Sequence, residues 1–346
     1  MKTFLTAILI FILAVTFIFG GLFYFFLNTS AGFETLINTV WNQALPQNKL
    51  LEFHISKVRT NPIRGIEISG LKMKVLIDGI KTQIKAGELG CELHPSQIFQ
   101  SPIFWADKLI IKNDSLSLLN VDINLGLKPM QATPTGYGSV SIEKIKLQPN
   151  YELNNIRGII TSLDPIIIRP LQGSALSGLI EAEFSMKPKE GRLIIKGQLI
   201  DADMALLQKV AGDNFKNSKG KFRGEFNIET EKDSLKSVWI QAESPSPGGE
   251  MNADLFRILL DYLPSNADKK LIQDLIQTRK ALPFDEARFT LKNVSEKSFQ
   301  GQFNFSSKTL NVKLNVVLTV NFEDIEIMKS ISNLMQMMGG IQNADK

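Results

Sequence analysis

The chain has 346 residues, room for two domains or one long β-domain, so burying a core is not the limiting problem. Lys and Arg number 39 against 35 Asp and Glu, for a net charge of +4, and the two signs are interspersed. That describes a solvated surface and argues against a nucleic-acid footprint, while the single cysteine, Cys91, excludes an intrachain disulfide and a thiolate metal cluster.

Residues 4–27 carry no charge, and the run FLTAILIFILAVTFIFGGLFYFFL is long enough to cross a bilayer as a helix. A cleaved signal peptide has a shorter apolar region, so the span reads as an uncleaved anchor. Thr29-Ser30-Ala31 is where cleavage would otherwise fall. Lys2 and the α-amino group precede the span, and the first Lys after it is Lys49. The positive-inside rule then predicts an N-in orientation with the rest of the chain outside the cytoplasm. Tyr24 and its neighbouring phenylalanines suit an interfacial aromatic belt.

Residues 32–45 place Phe33, Leu36, Ile37, Val40, Trp41 and Ala44 at helical spacing. This predicts an amphipathic helix, either a foot on the membrane surface or a cap on the end of a sheet. The polar face lacks the Lys and Arg of an interfacial helix, which favours the cap. Strand patterns follow. Leu51, Phe53 and Ile55 alternate, as do Ile66 and Ile68; the phase then slips at Ser69-Gly70 before Leu71, Met73, Val75 and Ile77. A glycine at a phase break predicts a β-bulge or tight bend. Asp78-Gly79 is a two-residue hairpin signal, with Ile80, Thr82, Ile84 and Ala86 on the return arm and residues 89–93 extending the sheet. Residues 95–99 read as a helical turn, and a new strand starts at 109–111.

This stretch resembles a known family. The span is followed by Gly65-Ile66-Glu67-Ile68-Ser69-Gly70-Leu71, a strand, a short helix around Ser96-Gln97-Ile98-Phe99, and a strand ending in Asp107-Lys108-Leu109-Ile110-Ile111. It is similar to the N-terminal region of the AsmA-like superfamily of the bacterial envelope, which includes TamB- and YdbH-type proteins. The resemblance implies an anchor in the inner membrane and a β-rich groove projecting into the periplasm. It also implies a part in phospholipid transport to the outer membrane or in outer-membrane assembly.

Further on, Val121, Ile123, Leu125 and Leu127 alternate, and residues 129–138, rich in Pro, Gly and Thr, read as a linker. Val140, Ile142, Ile145 and Leu147 follow with another slip. Ile166-Ile167-Ile168, between Pro165 and Pro170, suits a short edge segment. Residues 179–186 and 193–199 predict a hairpin, 203–212 a short helix with an acidic N-cap and a Gly stop, and 222–228 and 238–242 more strands. These glycine-punctuated strands around one short helix, with Gly248-Gly249-Glu250-Met251 after them, resemble the later part of AsmA-like proteins. The accessory subunit N of type II secretion has a similar anchor-plus-β layout.

Residues 252–263 and 267–281 predict two helices separated by Pro264. Ala287, Phe289 and Leu291 form a strand, as do Phe299, Phe303 and Phe305. The longest pattern comes next: Leu310, Val312, Leu314, Val316, Leu318, Val320 and Phe322 are apolar, with Asn311, Lys313, Asn315, Val317, Thr319 and Asn321 between them. Unbroken alternation predicts a strand with one apolar and one wet face, about 40 Å long. A last helix, 324–338, starts at Asp324 and carries Met328, Met335 and Met338, either as a soft surface for apolar partners or as a plug for the end of the sheet.

The two histidines, His54 and His94, form no recognisable pairing with a nucleophile. Cys91 and His94 have ligand-like spacing without a second pair. No nucleophile elbow or phosphate-cradling glycine loop is present, so no enzyme, cofactor or metal is expected. The expected fold is mainly β: an N-terminal transmembrane helix, then an elongated, curled antiparallel sheet forming an open groove, with a few short helices. The organisation is an anchor at 1–31, an AsmA-like β region at 32–130 and a β-rich groove region at 131–346, the last with a helical insert at 252–281 and the helix at 324–338. Phe303, Phe305, Leu310, Val312, Leu314, Val316, Leu318, Val320 and Phe322 are expected to line the groove. The expected partners are phospholipid acyl chains, the inner membrane and other envelope proteins. The expected role is holding or transferring lipid from an inner-membrane tether in the periplasm; the alternative is a structural component of an envelope machine with the apolar face as closed core.

Overall fold

The computed structural model describes residues 29–44, 49–61, 65–77, 80–92, 103–114, 116–128, 135–147, 151–187, 190–231, 234–262, 269–295 and 298–321. The anchor at 4–27, the Asp78-Gly79 turn, the helical turn at 95–99, His94, Phe322 and the helix at 324–338 lie outside them. No helix among the described residues is long and apolar enough to cross a membrane. The chain divides into two compact units, one of residues up to Asp114 with Leu118–Gly136, the other of Ser115–Ser117 with Tyr137 onward.

The first unit begins with helix α1 (Ser30–Ala44). Thr29 caps it, its Oγ1 accepting a hydrogen bond from the Gly32 amide at 3.1 Å. Strands β1 (Lys49–His54) and β2 (Lys57–Asn61) lie end to end along one side of β3 (Gly65–Ile77). On the other side β3 pairs with β4 (Ile80–Glu92), and β4 with β5 (Ile103–Lys112). The Ile77–Ile80 pair leaves the two-residue connection that the sequence predicts. β6 (Leu116–Lys128) follows, its Asp122 accepting a hydrogen bond from the Lys108 amide at 2.9 Å.

The phase break in β3 is present as expected. Gly70 has φ +66°, and a side chain there would sit on Ser56 Oγ. Ile68 and Val75 are both buried, although a regular strand would put residues seven apart on opposite faces. The slip therefore returns the apolar set to the core side, where α1 packs: Phe33 joins Ile55, Val58 and Ile68, with Ile37 against them. Glu34 fixes the docking, its Oε1 accepting the Ile55 amide at 2.8 Å and lying 3.1 Å from His54 Nδ1.

The second unit is a long antiparallel meander. Its strands are β7 (Thr135–Leu147), β8 (Tyr151–Leu163), β9 (Ile166–Ala175), β10 (Gly178–Lys187), β11 (Arg192–Asp203), β12 (Lys219–Glu231), β13 (Ser234–Ser244), β14 (Gly249–Asn252), β15 (Ala281–Phe284), β16 (Glu286–Ser295), β17 (Ser298–Ser307) and β18 (Val312–Asn321). Pairing runs β7 to β13 in sequence order, then β16, β17 and β18. Among the described residues β7 pairs with β8 and β18 with β17, with no pairing between β7 and β18, and the sheet stays open. β14 and β15 form a separate hairpin on the start of β12.

Two insertions interrupt the meander. After β11 the Asp203 carboxylate accepts the Ala205 amide at 2.9 Å and starts a 3-10 turn (Met204–Leu207), then α2 (Gln208–Ala211), which Gly212 ends at φ +77°. This is the short acidic-capped helix expected from the sequence. Between β14 and β15 come α3 (Ala253–Tyr262) and α4 (Lys269–Thr278).

Several expectations are corrected. The second inserted helix stops at Thr278, and Ala281, expected to be helical, opens β15. Residues 135–138, expected as linker, already belong to β7. Ile166-Ile167-Ile168 is not an edge segment, because β9 is paired with β8 and β10. Arg169 and Pro170 fall at a register shift on both sides, opposite Ile159 on β8 and Glu183 on β10, so the missing Pro170 N–H interrupts no ladder bond. The alternation of β8 is broken at Asn155, which has φ +52°, so periodicity alone shows no strand there.

Candidate functional site

The two faces of the second unit's sheet differ in chemistry. The outer face is laced by ion pairs and polar contacts: Arg192 Nη2 to Glu229 at 3.0 Å, Lys196 to Glu183 at 3.5 Å, Gln198 to Glu181 at 2.9 Å and Arg288 to Glu243 at 2.9 Å. Glu243 also accepts a hydrogen bond from Arg223. That bond, ahead of the charge attraction of Arg223 and Arg288, holds its carboxyl below the usual carboxylate range.

The inner face is apolar across the whole meander. Register places Val140, Gly158, Leu171, Ala182, Gly197, Phe226, Ile240, Leu291 and Gly301 in one row crossing nine strands. At about 4.8 Å per strand the row runs roughly 38 Å along the sheet. Beside it run Ile160, Ile168, Phe184, Ile195, Ile228 and Val238. On the other side run Gly173, Ile180, Leu199, Gly224, Ala242, Phe289, Phe303 and Val316. Large neighbours fill the glycine gaps: a side chain at Gly158 would meet Ile168 and Leu171, and one at Gly173 would meet Ile156. Ile168, Leu171, Ile180, Phe184, Ile195, Leu199, Phe226 and Ile240 are half-buried.

The end of this face near β16–β18 is covered. Phe256 of α3 meets Phe305 edge-on, with centroids 4.8 Å apart at 77°, and lies 6.0 Å from Phe303. Ile272 and Ile276 of α4, Phe284, Val312 and Val316 complete the cluster. Of the residues expected to line a groove, Phe305, Val312 and Val316 are buried here, and Phe303, Leu310 and Leu314 pack against them. Phe303 pairs with Val316 and Phe305 with Leu314, opposite across the hairpin as expected. Leu318 and Val320 lie on β18, at register positions opposite Gly301 and Phe299. The expected 310–322 strand begins two residues later, after a turn in which Asn311 has φ +51°.

Next to this covered end is a cavity of 410 Å³. Its walls come from separate segments: Met204, Leu207 and Phe215 after β11, Phe222 on β12, Met251 and Leu255 around β14, and Ala242, Phe289, Gly301 and Phe303 on the sheet. Phe289 is 40% exposed, the open side of the wall. Sequence periodicity marks Phe289 as inward-facing, but no local signal shows that these segments converge.

Elsewhere, no cluster of metal-ligating side chains occurs among the described residues. Cys91 is half-buried on β4, and that burial pushes its thiol up. His54 is engaged with Glu34. Comparison of the chain with protein-family models, with curated proteins and with solved structures found no match.

Proposed function

We propose that the chain holds or transfers lipid along the inner face of the second unit's sheet. The carrying observation is that three adjoining apolar rows stay half-buried through the middle of an open meander. A face of that size needs an apolar partner in water, and each methylene of an acyl chain laid on it contributes about 0.8 kcal/mol. The uncharged span at 4–27, with Lys2 before it, favours an inner-membrane tether with the bulk of the chain in the periplasm. Together with the AsmA-like pattern, this favours a part in phospholipid transport or outer-membrane biogenesis. Membrane lipids are the proposed partners, and the proposed function is not enzymatic.

A second reading, a structural or assembly component of an envelope machine, draws on the burial of Phe305, Val312 and Val316 beneath α3 and α4. The two readings separate by cross-linking. A photoreactive side chain at position 226, on the inner face, should form lipid adducts in cells, and one at Asn227, on the outer face, should not. A folded protein without adducts at position 226 favours the assembly role.

A further inference from the structure

The cavity beside the helix pair differs from the rows that lead to it. Ala242, Phe289, Gly301 and Phe303 belong both to its wall and to those rows, so the open face and the cavity are one continuous apolar surface. On the far side it is roofed by Met204, Leu207 and Phe215, and by Met251 and Leu255. The wall residues Glu243 and Arg288 alternate to the outer face, where they pair with each other. Ser244 is buried, with its hydroxyl already donated to the Lys221 carbonyl. The cavity therefore offers no free polar partner to a headgroup. An apolar space of this volume is large enough for a hydrocarbon ligand, and two methionine walls can adapt to its shape.

We infer that this cavity receives the methyl end of a single acyl chain, while the carboxyl or headgroup end stays outside, toward the open rows. The inference rests on the lipid-holding reading and adds an orientation: the tail leads into the roofed end, and the sheet sets the direction of the chain. Binding at this point is indifferent to headgroup chemistry, because the wall presents hydrocarbon alone to the ligand.

The test uses the full chain in phosphatidylcholine nanodiscs and two photoreactive palmitates, one with a diazirine at the chain end and one with it beside the carboxylate. The chain-end probe should label the peptides spanning 204–215 and 287–303, and the carboxyl-side probe should label neither. Ala242→Phe fills the cavity from the sheet and Leu207→Trp fills it from the roof. Each should cut chain-end labelling of those peptides at least tenfold while labelling on β8–β10 persists. Two variants on opposite walls guard against one of them failing to fold. Adducts on the open rows with none at the cavity, or cavity labelling unchanged by both fillings, overturn the inference and leave the lipid reading standing. Absence of adducts anywhere on the folded chain overturns both.

Discussion

Val316→Asp and Ile195→Asp separate a sealed end of the sheet from an open middle. Val316 is 4% exposed, among Phe256, Phe305 and the α4 isoleucines. Replacing it removes about 2 kcal/mol of apolar burial. The new carboxyl has no partner, so it is buried neutral, and holding a proton at pH 7 on a group whose ordinary pKa is about 3.9 costs about 4 kcal/mol more. The sum, about 6 kcal/mol, is on the scale of a whole domain's stability. The folded pKa of this Asp is raised above its unfolded value, so the penalty grows as pH rises and should fall back to about 2 kcal/mol near pH 4. Ile195 is half-buried in the open rows, where a carboxylate stays hydrated, and Ile195→Asp should cost about 1–2 kcal/mol at either pH. Urea unfolding followed by Trp239 fluorescence, with Trp41 and Trp105 replaced by Phe, reads both. A stable Val316→Asp protein refutes the sealed end. An Ile195→Asp protein that unfolds as badly as Val316→Asp makes the middle rows closed core and removes the basis for lipid holding.

Gly70→Ala should destabilise the first unit by about 1–3 kcal/mol in a thermal melt, because the residue has φ +66° and its Cβ would collide with Ser56. Glu34→Ala should speed hydrogen exchange at the Ile55 amide about tenfold and loosen α1, since that carboxylate is the amide's acceptor; unchanged exchange would show that apolar packing alone docks the helix. Cys91 should be alkylated more slowly at pH 8 than a free cysteine, because burial raises its pKa and lowers its thiolate fraction; an equal rate would mean that β4 opens readily there.

Most of the meander was legible because the sheet's two faces meet different environments. Val312, Leu314 and Val316 turn inward and Lys313, Asn315 and Thr319 outward, so period-2 alternation stands out. It faded where the ladder is irregular. Asn155 at positive φ breaks the phase of β8, and Arg169-Pro170 absorbs a shift in β9, so periodicity does not show the first strand and the flanking prolines give the second the pattern of an edge. β14 and β15 have four residues each, too few for any period. The amphipathic helices at α3 and α4 were visible, but an apolar stripe does not name the surface it will cover. The covering of Phe305 and Val316, and the cavity beside them, are tertiary facts drawn from segments up to about a hundred residues apart.

The central claim, that the inner face carries lipid, is tested most directly by mass spectrometry of lipids co-purifying with the chain from residue 32 onward, beside the same protein carrying Ile195→Asp and Phe226→Asp. Phospholipid bound at one or more molecules per folded chain, and lost from the doubly substituted protein while it keeps its fold, is the expected result. A folded chain that purifies without lipid, or that keeps the same lipid after both substitutions, would contradict it.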